Sequence, residues 1–176
     1  MEQGKKILVT GGARSGKSAF AQKMAEDLPG PRAYLATAQI LDNEMAQRVA
    51  RHQAQRGQAW QATIEEPYAL DTSLRQAASH YPVIMVDCIT LWLTNILLSN
   101  QENSGIVMQK VEQLITSLPG CVSTIIMVTN EIGLGIVPDN PLARQFRDLA
   151  GFANQKLAAA CDSVYLLSCG LPLKLK

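Results

Sequence analysis

The sequence predicts an α/β fold in which helices flank a mainly parallel central sheet. Short apolar runs rich in β-branched residues alternate along the chain with longer helix-forming segments, the order expected in parallel sheets. Several of these runs are apolar throughout, which is typical of strands buried on both faces. With 176 residues, we expect one compact domain spanning 1–176.

Each strand is predicted from an apolar run and from the residues that bound it. The first run, 7–10, lies between charged residues and glycines, and the run at 83–87 ends in an acid. Further strands are expected at 33–37, 124–129 and 163–168, with an extended segment at 60–65 and a short edge piece at 172–176.

The helices are predicted from composition and from stop signals. Residues 18–28 are rich in helix formers and stop before Pro29-Gly30-Pro31. Residues 89–98 are apolar almost all round, which indicates a largely buried helix, whereas 107–118 is amphipathic. We also expect helices at 69–79 and 142–161, and loops at 101–105 and 133–141.

Charge and composition exclude several classes of partner. The net charge is +1 and no basic run is present, so we expect no nucleic-acid partner. No apolar stretch reaches the length of a membrane span, and the N-terminal apolar run is too short for a signal peptide. The four cysteines are far apart, which predicts buried free thiols in a cytoplasmic protein rather than zinc or disulfide sites.

A phosphate-binding P-loop is predicted between the first strand and the first helix. Gly11, Gly16, Lys17 and Ser18 match the pattern G-x-x-x-x-G-K-S/T, and the intervening residues are Gly12, Ala13, Arg14 and Ser15. The glycines let backbone N–H groups approach phosphates, and the helix N-terminus adds a favourable field. Lys17 would reach the β- and γ-phosphates, and the Ser18 hydroxyl would bind Mg²⁺.

Asp87 is a candidate second ligand for the same metal ion. It ends a buried strand, as the Walker B acid of a P-loop protein does, and there it would hold Mg²⁺ directly or through water. The alternative is that Asp87 caps the helix that follows. The P-loop favours the metal role, but many enzyme classes share these two features.

His52 lies in a polar segment with Arg48, Arg51 and Arg56. Arg48, His52 and Arg56 are four residues apart, so on a helix they share one face. One interpretation is an exposed basic helix face. The other is a nucleophile toward phosphorus, because neighbouring guanidiniums lower an imidazole pKa and stabilise charge on a transferring group.

The chain resembles the bifunctional adenosylcobinamide kinase/adenosylcobinamide-phosphate guanylyltransferases of cobalamin biosynthesis. The resemblance covers nearly the whole sequence and is most specific in the P-loop GGARSGKS together with the later stretch NEIGLGIVP. The other matching stretches are 34–38, 42–45 with Arg48 and His52, 65–67, 86–95, 143–151 and 170–172.

That resemblance implies two activities. The family phosphorylates adenosylcobinamide with ATP or GTP, then transfers GMP from GTP to the new phosphate through a GMP-histidine intermediate, which places His52 in the nucleophile's position. It also implies a RecA-like P-loop fold, a homotrimer, and GTP contacts beyond the P-loop at Ala36, Thr37, Ala38, Gln53, Ala54, Gln55, Arg56, Glu65 and Asp87. The spacing before Glu65 and Glu66 leaves open which of the two meets the nucleotide.

Two other functions remain open from the residues alone. The chain could be a P-loop kinase of another small metabolite, with His52 structural, or a non-catalytic nucleotide-sensing switch. For the corrinoid pocket, Thr90, Trp92 and the loop 133–138 are candidate walls.

Overall fold

A computed structural model of the chain describes residues 4–39 and 59–176. The strands in this part of the chain are β1 (Lys6–Gly11), β2 (Arg32–Ala36), β3 (Ala62–Glu65), β4 (Val83–Asp87), β5 (Thr124–Val128), β6 (Ser163–Ser168) and β7 (Leu171–Lys174). The helices are α1 (Lys17–Glu26), α2 (Leu70–Ala78), α3 (Ile89–Ser99), α4 (Ser104–Ser117) and α5 (Pro141–Ala160), with a 3₁₀ turn at Leu118–Gly120.

The strands form one seven-stranded sheet in the order β3-β2-β4-β5-β1-β6-β7. Every neighbouring pair is parallel except β6 and β7, which form an antiparallel hairpin at the edge. The predicted α/β fold with a mainly parallel sheet is therefore confirmed. Because β5 lies between β1 and β4, the P-loop strand and the strand that ends in Asp87 are not direct neighbours.

The strands alternate their side chains between two hydrophobic cores. Ile7 and Val9 of β1 enter one core with Ala21 and Ala25 of α1, whereas Leu8 enters the other. The core that contains Leu8 is the larger of the two and includes the buried faces of α2, α3, α4 and α5. Burial on both faces explains why these runs are apolar throughout. Among the described residues, no helix has the length and apolar character needed to cross a membrane.

One helix begins earlier than the sequence predicts. Helix α4 starts at Ser104, inside the predicted loop 101–105, because the Asn103 side chain accepts hydrogen bonds from the N–H groups of Gly105 and Ile106. In the turn that precedes this cap, Gln101 and Glu102 both have positive φ. An asparagine cap therefore sets this boundary, which hydrophobic periodicity alone placed at residue 107.

The prediction of buried free cysteines is right for three positions and wrong for Cys169, which lies exposed in the β6–β7 turn. Burial raises the pKa of the Cys88 and Cys161 thiols to about 12, and it also raises the pKa of Cys121. The thiolate is the form of cysteine that attacks thiol reagents, so burial and a raised pKa both protect these three groups.

We therefore expect one of the four cysteines to react with dithionitrobenzoate at pH 8 in the folded protein, and all four after denaturation in guanidinium. A Cys169→Ser variant provides the control, because it should show no fast-reacting thiol. Fast reaction of a second thiol in the native protein would contradict the burial of Cys88, Cys121 and Cys161.

Candidate nucleotide site at the carboxyl edge of the sheet

The predicted site residues within the described part of the chain converge on one edge of the sheet. Gly11 ends β1, Ala36 ends β2, Glu65 ends β3 and Asp87 ends β4. Ala36 pairs with both Glu65 and Asp87 in the sheet register. Ligands of open α/β sheets bind outside the carboxyl ends of the strands, so this edge is the candidate site.

The P-loop joins β1 to α1 through a backbone that glycine makes possible. Gly16 has φ +94°, a left-handed conformation, and it caps the N-terminus of α1 without a side chain. A Cβ atom on Gly11 would lie 2.6 Å from the Leu167 carbonyl oxygen and from Ser15 Oγ. The Ser15 and Thr10 hydroxyls are buried and have no hydrogen-bond partner among the described residues. Gly12, Ala13 and Arg14 are exposed at the tip.

Lys17 lies at the first position of α1 and folds back over the loop. Its Nζ donates a 3.1 Å hydrogen bond to the Gly12 carbonyl oxygen. Burial lowers the pKa of Lys17, and the negative charge of Asp87 only partly opposes this shift. The ammonium is thus half-buried within the electrostatic reach of Asp87, with the half-buried Ser18 beside it at the start of α1.

Asp87 is not the cap of the helix that follows it. The N-cap of α3 is Cys88, whose Sγ accepts a hydrogen bond from the Leu91 N–H at 3.5 Å. Asp87 Oδ2 instead accepts a 2.9 Å hydrogen bond from the Tyr34 hydroxyl of β2. The capping alternative is therefore wrong, and the carboxylate is held at the sheet edge by a neighbouring strand.

Thr37 locks the end of β2 to the β4–α3 junction. Its hydroxyl donates to the Cys88 carbonyl oxygen at 2.7 Å and accepts from the Cys88 N–H at 2.8 Å, and the residue is fully buried. The Asn95 amide of α3 donates to the Thr37 and Pro67 carbonyl oxygens at 2.8 and 3.2 Å. These bonds fix the two segments that carry Ala36, Ala38 and Glu65.

The two neighbouring glutamates have different surroundings. Glu66 is half-buried, and its carboxylate accepts hydrogen bonds from the Tyr68 and Ala69 N–H groups and from the Ser73 hydroxyl at 2.7–3.0 Å. Burial would raise the pKa of Glu66, but these hydrogen bonds together lower it below its usual value. Glu66 is committed to the start of α2, whereas the Glu65 carboxylate is exposed at the end of β3.

The loop after β5 starts beside the P-loop and ends at α5. The Glu131 N–H donates to the Gly11 carbonyl oxygen at 3.0 Å. Arg147 donates to the Gly133 carbonyl oxygen, and Arg144 donates to the carbonyl oxygens of Pro138 and Asp139. Hydrogen bonds therefore hold the loop backbone at both ends, and between them the loop presents exposed apolar side chains at Leu134, Ile136 and Val137.

Two of the candidate pocket walls are wrong. Trp92 is fully buried in the core, and its Nε1 donates to the Tyr68 carbonyl oxygen. Thr90 is 7% exposed. Its hydroxyl hydrogen-bonds the Thr129 hydroxyl and accepts from the Asn130 N–H, so it holds the two residues that follow β5. The loop 133–138 is the candidate wall that is open to solvent.

His52 and the residues that follow it, Gln53, Ala54, Gln55 and Arg56, lie outside the described residues. Their placement relative to the P-loop therefore stays a prediction, as does the shared face of Arg48, His52 and Arg56.

Comparison with known proteins decides the family. Residues 7–175 match the family model described as cobinamide kinase/cobinamide phosphate guanyltransferase. This chain belongs to that family. It is a bifunctional kinase and guanylyltransferase of cobalamin biosynthesis.

Three curated relatives support membership of this kinase/guanyltransferase family. The bifunctional adenosylcobalamin biosynthesis protein CobP of Pseudomonas aeruginosa is 43% identical over 171 residues, covering 96% of each chain. The corresponding CobU proteins of Salmonella typhimurium and Escherichia coli are 42% and 39% identical over 181 residues, covering 97% of this chain and 99% of theirs. The match thus extends over nearly the full length of each protein.

Sequence reasoning missed two residues that hold other parts of the candidate site in place by hydrogen bonds. Tyr34 holds Asp87, and Asn95 holds the loops after β2 and β3. Asn95 was detectable in principle, because a polar amide interrupts an otherwise apolar helix. Tyr34 carried no such signal, since an aromatic residue within an apolar strand reads as core.

Proposed function

We propose that a single nucleotide site, in one domain spanning 1–176, performs both reactions of this protein. The observation that carries the proposal is the convergence of the P-loop, Asp87 and Glu65 at the carboxyl edge of one sheet. ATP or GTP serves as phosphoryl donor to adenosylcobinamide, and GTP supplies GMP to adenosylcobinamide phosphate. The family membership gives the acceptor class, and the sheet edge provides the phosphate-binding groups.

The residues present fit a magnesium ion. Ser18 and Asp87 offer a hydroxyl and a carboxylate, the hard oxygen donors that Mg²⁺ prefers, and Tyr34 orients the carboxylate. The described residues contain no cluster of three metal-binding side chains. Mg²⁺ bound to nucleotides takes few protein ligands and keeps waters and phosphate oxygens, so two suffice. The ion would neutralise charge on the β- and γ-phosphates.

In the kinase reaction, this chain positions the γ-phosphoryl group and stabilises its charge. The P-loop amides and the Lys17 ammonium would surround the phosphate oxygens, and the N-terminus of α1 adds its field. The oxygen of the acceptor hydroxyl attacks the γ-phosphorus and its proton passes to solvent. The bond between the γ-phosphorus and the bridging β-phosphate oxygen breaks, and the nucleoside diphosphate leaves. Because the lysine is half-buried, its charge acts through little intervening water.

In the guanylyl reaction, His52 acts as nucleophile. A neutral imidazole nitrogen attacks the α-phosphorus of GTP, forming a P–N bond as pyrophosphate leaves. A phosphate oxygen of the acceptor then attacks the same phosphorus, which breaks the P–N bond and restores His52. The neighbouring Arg48 and Arg56 would stabilise the charge that develops.

Labelled GTP tests the proposal directly. Incubation with GTP labelled at the α-phosphate, followed by denaturation, should leave label on the protein that is stable to alkali and labile to acid, as expected of a phosphoramidate. Addition of cobinamide phosphate should discharge that label into a corrinoid product. Protein that forms no adduct and still transfers GMP at full rate would contradict the histidine route.

Replacing Glu65 and replacing Glu66 by glutamine should have different effects on GTP binding and on stability. We expect Glu65→Gln to weaken GTP binding about fivefold or more, with little change in the free energy of unfolding. Glu66→Gln should lower that free energy by about 1 kcal/mol and leave GTP affinity within about twofold. Its neutral amide oxygen accepts from the Tyr68 and Ala69 N–H groups more weakly than a carboxylate does, and its NH2 group cannot accept from the Ser73 hydroxyl.

The stability difference for Glu66→Gln should also depend on pH. The pKa of Glu66 is lowered in the folded protein, so its stabilisation is present above the unfolded-state pKa and is lost as pH falls through the folded value. Urea denaturation at pH 7 and pH 3 measures this. A difference that does not shrink at low pH would contradict the assigned hydrogen bonds.

We also propose that the chain assembles as a homotrimer, as the family resemblance implies. Light scattering coupled to size-exclusion chromatography measures the mass in solution. A mass near the 19.1 kDa of one chain would contradict the trimer.

A further inference from the structure

The C-terminal β6–β7 hairpin lies directly against the P-loop. The Gly170 N–H, in the hairpin turn, donates a 2.9 Å hydrogen bond to the Ser15 carbonyl oxygen. A Cβ atom on Gly16 would lie 3.2 Å from Gly170 Cα, so the two backbones are in close contact. At the other end of the loop, Gly11 pairs with Leu167 of β6. The hairpin thus contacts both ends of the phosphate-binding segment.

The turn has the geometry that such a contact needs. Ser168 and Leu171 pair across the hairpin, so Cys169 and Gly170 form a two-residue loop. Both have positive φ, +52° and +80°, as in type I′ turns, whose twist matches that of the flanking strands. This conformation fixes the direction of the Gly170 N–H, because the antiparallel ladder holds the residues on either side.

The hydrogen bond from Gly170 determines the direction of a second group. The peptide between Ser15 and Gly16 is trans and planar, so the Ser15 C=O and the Gly16 N–H point in opposite directions. Holding the carbonyl toward the hairpin aims the Gly16 N–H away from it. In a G-x-x-x-x-G-K-S loop, the backbone N–H groups directed into the loop are the ones that contact phosphate.

We propose that Gly170 is a positioning residue for nucleotide binding: its N–H holds the Ser15 carbonyl so that the Gly16 N–H points into the phosphate cradle. The inference rests on the proposed function, because it takes residues 11–18 to be the phosphate site. The inference also assigns a role to β7, because pairing of β7 with β6 holds the Cys169-Gly170 turn that contacts the P-loop.

Cys169 allows the backbone hydrogen bond to be removed without changing a side chain. Residues 1–168 can be prepared as a thioester and ligated to a synthetic peptide of residues 169–176, which begins with that cysteine. An ester in place of the Cys169–Gly170 amide replaces the Gly170 N–H by oxygen. A second ester, between Lys174 and Leu175, removes the Leu175 N–H bond to the Val164 carbonyl oxygen, which is 2.8 Å long and belongs to the same hairpin.

The two esters should cost similar stability but differ in GTP binding. By titration calorimetry with Mg²⁺, we expect the Gly170 ester to raise the Kd for GTP about tenfold relative to the all-amide ligated protein. The Leu175 ester should leave Kd within about twofold. An unchanged Kd in the Gly170 ester, or equal increases in both esters, would overturn the inference. An all-amide protein that binds no GTP would contradict the proposed function itself.

A recombinant pair keeps the inference testable if the Gly170 ester does not fold. A Cβ at Gly170 or at Gly120 would meet no atom within 4 Å, but only Gly170 has positive φ. Gly170→Ala should therefore strain the turn and raise the Kd for GTP about threefold or more, whereas Gly120→Ala should not change it. Equal affinities in the two variants would count against Gly170.

Discussion

Replacing Lys17 by alanine should lower both the kinase and the guanylyltransferase rates by about a thousandfold. Both reactions build negative charge on a nucleotide phosphate, and Lys17 is the P-loop ammonium that would meet it. Its Nζ already lies over the loop, bonded to the Gly12 carbonyl oxygen at 3.1 Å. The half-buried position matters, because a charge in a less polar environment acts more strongly than one in water.

Lys23 on the same helix is the matched control. Its side chain is 78% exposed and forms a 3.6 Å surface ion pair with Asp27. Lys23→Ala should leave both rates within about twofold, because surface pairs of this kind contribute little. The measurements are initial rates of nucleoside diphosphate formation and of pyrophosphate release. A Lys17→Ala protein with either activity near the unmutated rate would remove Lys17 from that reaction.

Replacing His52 by alanine should abolish the covalent GMP adduct and lower guanylyl transfer by about a thousandfold or more, with phosphorylation of cobinamide by ATP retained. The split between the two activities is the informative result. A nucleophile is needed only where a covalent intermediate forms, whereas the P-loop serves both reactions. A structural role for His52 would instead lower both rates together.

His80 is the natural control, since the chain has two histidines. It lies exposed between α2 and β4, before the first residue of β4 and therefore at the edge of the sheet opposite the P-loop. His80→Ala should form the adduct at the normal rate. Adduct formation by His52→Ala, or its loss in His80→Ala alone, would contradict the assignment. The adduct is measured with α-labelled GTP, and the kinase rate with ATP in the absence of GTP.

Much of the site was predictable because its motif is local. The residues of the P-loop are contiguous, and their types follow from what phosphate binding requires of a backbone between a strand and a helix. Asp87 was predictable as a candidate site residue, because a carboxylate directly after a buried apolar strand is typical of a Walker B acid. Whether Asp87 caps α3 was not predictable, since this depended on Cys88 taking the N-cap position and on Tyr34 holding the carboxylate.

The choice between Glu65 and Glu66 shows the same limit. Two adjacent glutamates look alike in a sequence, and the family spacing left both possible. The fold gives them different surroundings, because the Glu66 carboxylate accepts a hydrogen bond at the start of α2 whereas Glu65 is exposed at the end of β3. The prediction that Trp92 and Thr90 line a pocket was wrong for a related reason. Both residues belong to a stretch that matches the family, but that match does not indicate which side of the helix faces the core.

The sequence by itself determined the alternation of strands and helices, the P-loop, and the family to which this protein belongs. These follow from local patterns: apolar runs, glycine spacing, and motifs that keep their residue types wherever the chain goes. Tertiary structure alone decided which groups support the site, since Tyr34 meets Asp87 across 53 positions and Gly170 meets Ser15 from the far end of the chain. Those contacts arise from strand order and register, which bring distant residues together and leave no periodic signal in the sequence.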